Sequence, residues 1–184
     1  MTGDVIAVVG NPKPGSRTLH AAETLADSIG AVVGLSVRQP VDLANLADGL
    51  LAPWRQSPAA IAAGEATRAA AVVVLATPTY KASYSGLLKL FLDTLPAGSL
   101  SGTVVVPVVV SGGPAHRHLG DIQLRPVLSE LGAVVPAPSF LLEESEFGLL
   151  GDLVAAYARR QGPLLAAAVA ALDVVVPQPI APSN

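Results

Sequence analysis

Short runs of Val, Leu, Ile and Ala alternate along this chain with segments in which apolar residues recur every three to four positions. The runs that suit strands cover 5–9, 31–37, 71–75, 103–110 and 133–142. Runs of this length, apolar on both faces, are typical of strands buried inside a parallel sheet. Parallel strands need long crossover connections, which the helical segments supply. The alternation therefore predicts an α/β fold, with a doubly wound sheet of five parallel strands and helices on both faces.

Apolar periodicity and capping residues predict where the helices lie. The expected helices cover 19–29, 58–69, 87–95, 119–131, 149–160 and 164–172, with weaker helical character over 41–51. Gly30 is expected to end the first helix, and Gly162 with Pro163 to break or kink the last one. Pro107 predicts a bulge or a break in the fourth strand, because a central strand needs the N–H that proline lacks.

Composition excludes several classes of protein. Apolar residues make up 51% of the 184 residues, yet the longest apolar runs reach about eight to ten residues, well short of the roughly 20 that span a bilayer. Cysteine is absent, which excludes disulfides and thiolate nucleophiles. A net charge of −3 without a basic cluster argues against nucleic acid as a partner. Because no signal-peptide pattern follows Met1, we expect a cytoplasmic protein with one domain over 1–172 and a loose tail over 173–184.

Polar and glycine-rich loops follow three of the predicted strands. They cover 10–18, 77–86 and 111–116, after strands one, three and four. In the flavodoxin-like strand order 2-1-3-4-5 these three strands are neighbours. We expect that order here, and with it a convergence of the loops on one crevice at the carboxyl edge of the sheet. Open α/β sheets bind their ligands at this edge.

The first loop carries groups that suit a phosphate monoester. Ser16, Arg17 and Thr18 stand where the first helix begins, so hydroxyls, a guanidinium and free backbone N–H groups meet there. The loop is not a Walker A motif, because Ser-Arg replaces the required Lys-Ser or Lys-Thr, and it lacks the G-x-G-x-x-G dinucleotide fingerprint. The alternative is an ordinary helix cap followed by a solvated arginine.

The second loop carries groups that suit a flat ring. Pro78 and Tyr80 are candidates to flank such a ring by stacking, while the hydroxyls of Thr79 and Ser83 are candidates for its polar edge. The alternative is that the tyrosines of the loop are ordinary half-buried aromatics and that Lys81 is a surface charge.

The third loop permits a ligand to approach the backbone closely. Ser111, Gly112 and Gly113 leave the main chain uncovered, and His116 is a candidate donor, with an exposed position at a helix start as the alternative. Motifs for zinc proteases, for thiol or hydroxyl nucleophiles and for paired acids and bases are absent, so no metal is expected. Hydride chemistry on a bound flavin needs none of them.

Together these loops resemble the NAD(P)H-dependent FMN reductases of the flavodoxin-like superfamily. The resemblance is nearest to the branch that supplies reduced FMN to separate alkanesulfonate monooxygenases. It covers roughly 5–142 and rests on 10–18, 77–89 and 107–116. It implies an oxidoreductase that passes hydride from NADH or NADPH to N5 of FMN. It also implies a homodimer or homotetramer and a monooxygenase as a partner.

Carried over by position, the resemblance assigns each loop a part of FMN. The phosphate falls to Ser16, Arg17 and Thr18, with Asn11 where the family usually has serine. The residues implied around the isoalloxazine are Pro78, Thr79, Tyr80, Lys81, Ser111, Gly112 and Gly113, with His116 nearby. Lys81 would stabilise anionic reduced flavin, and no side chain is implied as catalytic. The apolar helix at 87–95 is a candidate subunit interface, with burial in the core as the alternative.

Two other functions stay open at this point. The first is an enzyme that retains FMN and reduces quinones or azo compounds. The second is a flavodoxin-like electron carrier with no direct reaction with NAD(P)H, although such carriers are usually more acidic than −3.

Overall fold

The structure is a computed structural model that describes residues 3–51 and 55–175. Most of the predicted loose tail, from residue 176 onward, lies outside the described residues. The prediction is wrong for residues 173–175, which belong to the last helix.

Parallel strands form the sheet, as predicted. The strands are β1 (Asp4–Val9), β2 (Ser36–Val37), β3 (Val41–Asp42), β4 (Val72–Tyr80), β5 (Ser83–Tyr84), β6 (Val104–Ser111) and β7 (Phe140–Glu143). The main path runs β2-β1-β4-β6-β7, with β3 added beside β1 and β5 antiparallel to β4. The central register aligns Val5 with Val72 and Val72 with Val104. The predicted flavodoxin-like order is confirmed, because the main path is 2-1-3-4-5 when its members are numbered along the chain.

Helices cover both faces of this sheet. They are α1 (Arg17–Val33), α2 (Ala47–Leu50), α3 (Pro58–Ala69), α4 (Gly86–Leu92), α5 (Leu119–Glu130) and α6 (Leu150–Val175). Short 3₁₀ turns cover Leu43–Leu46, Pro114–His116 and Glu144–Leu149. Along β1, Val5, Ala7 and Val9 face the core under α1 and α6, while Ile6 and Val8 face the core under α3, α4 and α5.

The apolar residues of α4 belong to the core that lies between the sheet and helices α3, α4 and α5. Leu88, Phe91 and Leu92 are buried within the chain itself. Fully burying a side chain of this size stabilises a fold by about 1.5–3 kcal/mol. Core burial, the alternative to a subunit interface on this helix, therefore accounts for these three residues.

The second strand is shorter than the sequence predicts. Helix α1 does not end at Gly30 but continues to Val33, and Gly34 caps it with a φ of 72°. Gly30 is buried, and a Cβ there would lie 2.6 Å from Cγ2 of Val37. Gly30 therefore does not end the helix. It allows β2 to lie close to α1. The segment 41–51, predicted as weakly helical, begins as β3 and continues as a 3₁₀ turn and the single turn of α2.

Pro107 causes no break in β6, contrary to the prediction. The ladder with β4 runs without interruption through Leu75 and Pro107. The N–H of Val105 points to the other side, where it donates to the Val134 carbonyl. Residues two apart point their N–H groups the same way, so Pro107 faces the stretch between Val134 and Phe140, where β7 has not yet begun. The N–H that proline lacks therefore costs no hydrogen bond between strands. The same register shows that the fifth strand is shorter than the predicted 133–142.

Helix α6 continues through Gly162 and Pro163, so of the predicted break or kink the break does not occur. A Cβ on Gly162 would lie 2.5 Å from Cγ1 of Val32 on α1, which shows how closely the two helices approach. Buried Leu165 and Val169 then anchor the second half of α6 in the core. Tertiary packing thus overrides the local preference of proline. Even with α6 included, the described part of the chain has no helix that is both long and apolar enough to cross a membrane.

Candidate functional site

The three predicted loops meet at the carboxyl ends of β1, β4 and β6, where they enclose a cavity of about 430 Å³. Its lining residues are Asn11, Lys13, Gly15, Ser16, Arg17, Thr18, Pro78, Thr79, Tyr80, Val110, Gly112 and Glu144. We call it the carboxyl-edge cavity. Its volume lies in the range of small-molecule sites, roughly 300–1,000 Å³.

A larger cavity of about 640 Å³ lies elsewhere, between α3 and the segment 38–46. Four alanines of α3 line one side of it. Arg38, on its rim, is already paired with Asp4 at 3.4 Å. Because the carboxyl-edge cavity combines a helix N-terminus, cations and an unpaired hydroxyl, we assign the chemistry to it.

Not every predicted residue lines the carboxyl-edge cavity. Those that do are Asn11, Ser16, Arg17, Thr18, Pro78, Thr79, Tyr80 and Gly112. Those that do not line it are Lys81, Ser83, Ser111, Gly113 and His116.

Sequence reasoning missed Val110 and Glu144, and gave no role to Lys13 or Gly15. Glu144 directly follows β7, so it stands at the same edge of the sheet as the three loops. That position after the fifth strand is the signal that would have found it.

The first loop is braced by hydrogen bonds of its own. Ser16 caps α1, since its Oγ accepts a bond from the Leu19 N–H at 3.2 Å. Asn11 donates from Nδ2 to the Thr18 hydroxyl at 2.9 Å, and its Oδ1 accepts from the Lys13 N–H at 2.9 Å. Asn11 therefore fixes the shape of the loop. The helix-cap alternative is confirmed for Ser16, and a cap of this kind leaves the hydroxyl hydrogen free to donate.

The start of α1 is suited to an anion. The first turn of a helix leaves its N–H groups without intrahelical partners, and Arg17 and Thr18 occupy that turn. No acidic residue lies in the first turn of this helix. The helix dipole adds partial positive charge there. Arg17 is not simply solvated, because its Nη2 lies 2.8 Å from Oε2 of Glu144 and its guanidinium lies 5.3 Å from the centre of the Phe147 ring.

The second loop is a strand and a hairpin, which corrects the prediction of a loop over 77–86. Strand β4 extends to Tyr80, and Tyr80 pairs with Ser83. Lys81 and Ala82 form the two-residue turn with φ values of 49° and 63°, the left-handed conformations of a type I′ turn. Such conformations are strained in residues other than glycine. Gln123 of α5 donates to the Ala82 carbonyl at 3.0 Å and so helps to hold the turn.

Bonds between the first two loops fix their relative position. A Cβ on Gly10 would lie 2.4 Å from Cβ of Leu88, so β1 and α4 approach as closely as a glycine allows. The Ser85 hydroxyl donates to the Gly10 carbonyl and accepts from the Leu88 N–H. Thr77 in turn accepts from the Ser85 N–H at 2.9 Å. These residues position the cavity without lining it.

Two hydroxyls at the carboxyl edge of the sheet have no protein partner, one on Thr79, which lines the cavity, and one on Ser111, which stands between the lining residues Val110 and Gly112 in the chain. Both oxygen atoms are buried and make no hydrogen bond to any described residue. Leaving such a group unpaired costs about 1–3 kcal/mol, so each one calls for an explanation. A ligand in the cavity is a candidate partner for the Thr79 hydroxyl.

Two glycines beside the cavity face open space. A Cβ on Gly112 or Gly113 would meet no atom within 4 Å. Packing inside the protein therefore does not require glycine at either position, and both leave room for a ligand close to the backbone. Among the described residues, no group of three His, Cys, Asp or Glu side chains is arranged to hold a metal ion.

The fold is that of a flavodoxin-like α/β domain, and the cavity at the carboxyl edge of its sheet is suited to a small anionic molecule. The chain belongs to the NADPH-dependent FMN reductase family, whose family model matches residues 4–146. The family resemblance predicted from the three loops is confirmed.

Named relatives agree with this assignment. An FMN reductase (NADPH) of Escherichia coli (strain K12) is 39% identical over 131 residues, 70% of this chain and 67% of the relative. The NADH-dependent FMN reductase SfnF of Pseudomonas fluorescens (strain Pf0-1) is 30% identical over 146 residues, 78% of each chain. The crystal structure of an NADH:FMN oxidoreductase in its apo form superposes with a TM-score of 0.77 and 32% identity, covering 97% of this chain and 92% of that one.

Proposed function

We propose that this protein is an NAD(P)H-dependent FMN reductase and that FMN binds in the carboxyl-edge cavity. One observation carries the proposal: the N-terminus of α1 with Arg17 and the segment Pro78–Tyr80 line the same cavity of about 430 Å³. Relatives named for FMN reduction with NADPH or with NADH support the reaction.

The residues at the start of α1 fit the phosphate of FMN. Ser16, Arg17 and Thr18 offer two hydroxyls, a guanidinium and N–H groups in one place. Charge-assisted bonds of this kind are about twice as strong as neutral ones. Asn11 serves the phosphate indirectly, because its bonds to Thr18 and Lys13 hold the loop in shape.

The residues after β4 and β6 fit a flat ring with a polar edge. Pro78 and Tyr80 offer surfaces for stacking, and the unpaired Thr79 hydroxyl offers a bond to the polar edge. Gly112 lines the cavity with open space where a Cβ would stand, and we propose that it contacts the far side of the ring together with its chain neighbours Ser111 and Gly113. We propose secondary roles in flavin binding for Lys81, Ser83 and His116, which do not line the cavity.

When bound, FMN supplies the chemistry by accepting hydride from the reduced nicotinamide. The residues of the chain bind and orient the flavin, and donors already fixed in place need no rearrangement as charge develops. The Tyr84 phenol, whose pKa burial raises, stays protonated at neutral pH and does not act as a base.

A direct test compares NADH and NADPH consumption with FMN, FAD and riboflavin. We expect FMN to be reduced, with a lower KM than riboflavin because only FMN carries the phosphate that Arg17 recognises. Arg17→Ala is expected to raise the KM for FMN and leave that for riboflavin unchanged. If neither NADH nor NADPH is oxidised at saturating FMN, the proposal is wrong.

We further propose that reduced FMN passes to a separate flavin-dependent monooxygenase in the cytoplasm. The Arg17 side chain is 57% exposed, so the phosphate end of the cavity opens to solvent, which favours exchange over retention. Gel filtration of the FMN-loaded protein tests this, and loss of FMN is expected. Retention of FMN, together with ping-pong kinetics on a quinone, would instead establish the quinone-reductase alternative.

We also propose a homodimer or homotetramer. Large exposed apolar side chains support self-association, among them Ile122 on α5 and Leu149 before α6. Sedimentation equilibrium tests it, and a monomer at micromolar concentration contradicts it.

A further inference from the structure

Glu144 forms an ion pair with Arg17, the residue whose guanidinium we assign to the flavin phosphate. Its carboxylate lies 2.8 Å from Nη2 of Arg17, and both side chains are about half exposed. Glu144 also lines the carboxyl-edge cavity, so the ion pair lies inside the proposed site and not on a remote surface.

The turn that carries Glu144 is itself held in place. Within the 3₁₀ turn Glu144–Leu149, Glu146 accepts from the Glu143 N–H at 2.8 Å. Arg117 donates to Glu143 at 3.0 Å and so ties the same turn to the segment before α5. Phe147, on this turn, lies against the Arg17 guanidinium at 5.3 Å. Arg17 is therefore held by one anchored turn through two contacts.

Charge at this end of the cavity is nearly balanced. The charged residues that line the cavity in the described structure are Lys13, Arg17 and Glu144. Asp42 adds a second carboxylate, which accepts from the Gly15 N–H at 3.1 Å. A phosphate monoester carries close to two negative charges. It therefore competes with carboxylates for the same donors and is repelled by them.

A carboxylate beside Arg17 opposes a phosphate in two ways. Glu144 occupies Nη2, which carries part of the five-donor set of the guanidinium, and its negative charge repels the phosphate. A phosphate that takes the Nη2 donor displaces Glu144, and the free energy of the lost ion pair is then subtracted from the affinity for FMN. Riboflavin has no phosphate and leaves the Arg17–Glu144 pair intact.

We propose that Glu144 is an internal competitor for the flavin phosphate and that it sets the preference of the site for FMN over riboflavin. This inference rests on the proposed function, since it concerns how the same cavity discriminates between flavins. It gives a functional role to Glu144, which lines the cavity although its carboxylate cannot donate a hydrogen bond to phosphate.

The test measures flavin binding directly, by fluorescence titration of the protein with FMN and with riboflavin. In Glu144→Gln, the dissociation constant for FMN is expected to fall by roughly 1.5- to fivefold, the range set by the loss of an exposed ion pair. Riboflavin binding is expected to stay unchanged. Glu65→Gln is the matched control, because it makes the same charge change at an exposed position of α3, on the opposite face of the sheet.

A double-mutant cycle with Arg17→Ala isolates the pair. In the Arg17→Ala background, Glu144→Gln is expected to tighten FMN binding less than it does in the wild-type protein, because only the repulsion between Glu144 and the phosphate is left to remove. Weaker FMN binding in Glu144→Gln would overturn the inference, since Glu144 would then position Arg17 instead of competing for it. Equal tightening of both flavins, or an equal gain in Glu65→Gln, would overturn it as a general charge effect. These results leave the proposed function intact, whereas a wild-type protein that binds neither flavin refutes both.

Discussion

Replacing Thr79 with valine is expected to stabilise the ligand-free protein and weaken its binding of FMN. Oγ1 of Thr79 is buried at the cavity and has no hydrogen-bond partner among the described residues. Valine keeps the shape of threonine and suits the strand β4 in which residue 79 lies. The substitution therefore removes the cost of an unpaired hydroxyl while leaving the packing nearly unchanged.

The magnitude follows from that cost. A buried unsatisfied hydroxyl costs about 1–3 kcal/mol, and Thr79 is only partly buried, so a gain of about 1 kcal/mol is expected. For a chain of this length, 1 kcal/mol corresponds to a rise in Tm of roughly 2–4 °C. If the hydroxyl binds the polar edge of the flavin, FMN affinity falls by about 0.5–1.5 kcal/mol, the net value of one hydrogen bond.

Thr77 provides the matched control on the same strand. Its hydroxyl donates to the Pro78 carbonyl at 2.8 Å and accepts from the Ser85 N–H at 2.9 Å. Thr77→Val is therefore expected to destabilise the protein by about 1–3 kcal/mol, since it leaves the Ser85 N–H unpaired.

Thermal unfolding of both variants, with and without FMN, measures the two effects together. Without ligand, the Tm should rise in Thr79→Val and fall in Thr77→Val. With FMN, the added stabilisation should be smaller in Thr79→Val than in the wild-type protein. A lower Tm in ligand-free Thr79→Val would refute the reasoning, because it would mean that the hydroxyl already has a partner.

Three further substitutions test the packing described above. Gly10→Ala is expected to destabilise the protein by about 1–3 kcal/mol, since the new Cβ would lie 2.4 Å from Cβ of Leu88. Urea unfolding measures this loss of stability. Gly86→Ala is the neutral control, because a Cβ at residue 86 meets no atom within 4 Å. Pro163→Ala is expected to stabilise α6 by up to about 3 kcal/mol, the penalty of proline inside a helix, and an unchanged urea midpoint would contradict it. Burial raises the pKa of the Tyr157 phenol, which donates to the main-chain carbonyl of Pro138 at 2.7 Å. The contribution of this protonated phenol to the free energy of unfolding is complete below about pH 10 and is lost as the pH rises further. The stability difference between the wild-type protein and Tyr157→Phe should therefore be constant up to about pH 10 and shrink above it, and a difference that grows with pH would contradict this.

Much of the sheet could be predicted because each strand carries its own local signal. The runs at 5–9 and 71–75 are apolar on both faces, and the structure uses both as neighbouring central strands. The edge strands were predicted less well. Residues 31–33 and 133–139 are apolar enough for a strand, but the first three extend α1 and most of the others stay unpaired. An apolar run signals burial, and burial is common to helices and strands.

The amino-acid sequence was enough to predict the alternation of strands and helices and the approach of three chain segments at the carboxyl edge, and its resemblance to a known family supplied the family. The alternation follows from local periodicity, and the positions of the segments follow from turn residues and from the rule that parallel strands end at the same edge. The fold was needed to show that Pro107 and Pro163 are tolerated and that Glu144 pairs with Arg17, because these outcomes depend on contacts between residues far apart in the chain. Pro107 depends on where β7 begins, Pro163 on the packing of α6 against the core, and Arg17 on a turn 127 positions further along the sequence (144 − 17 = 127).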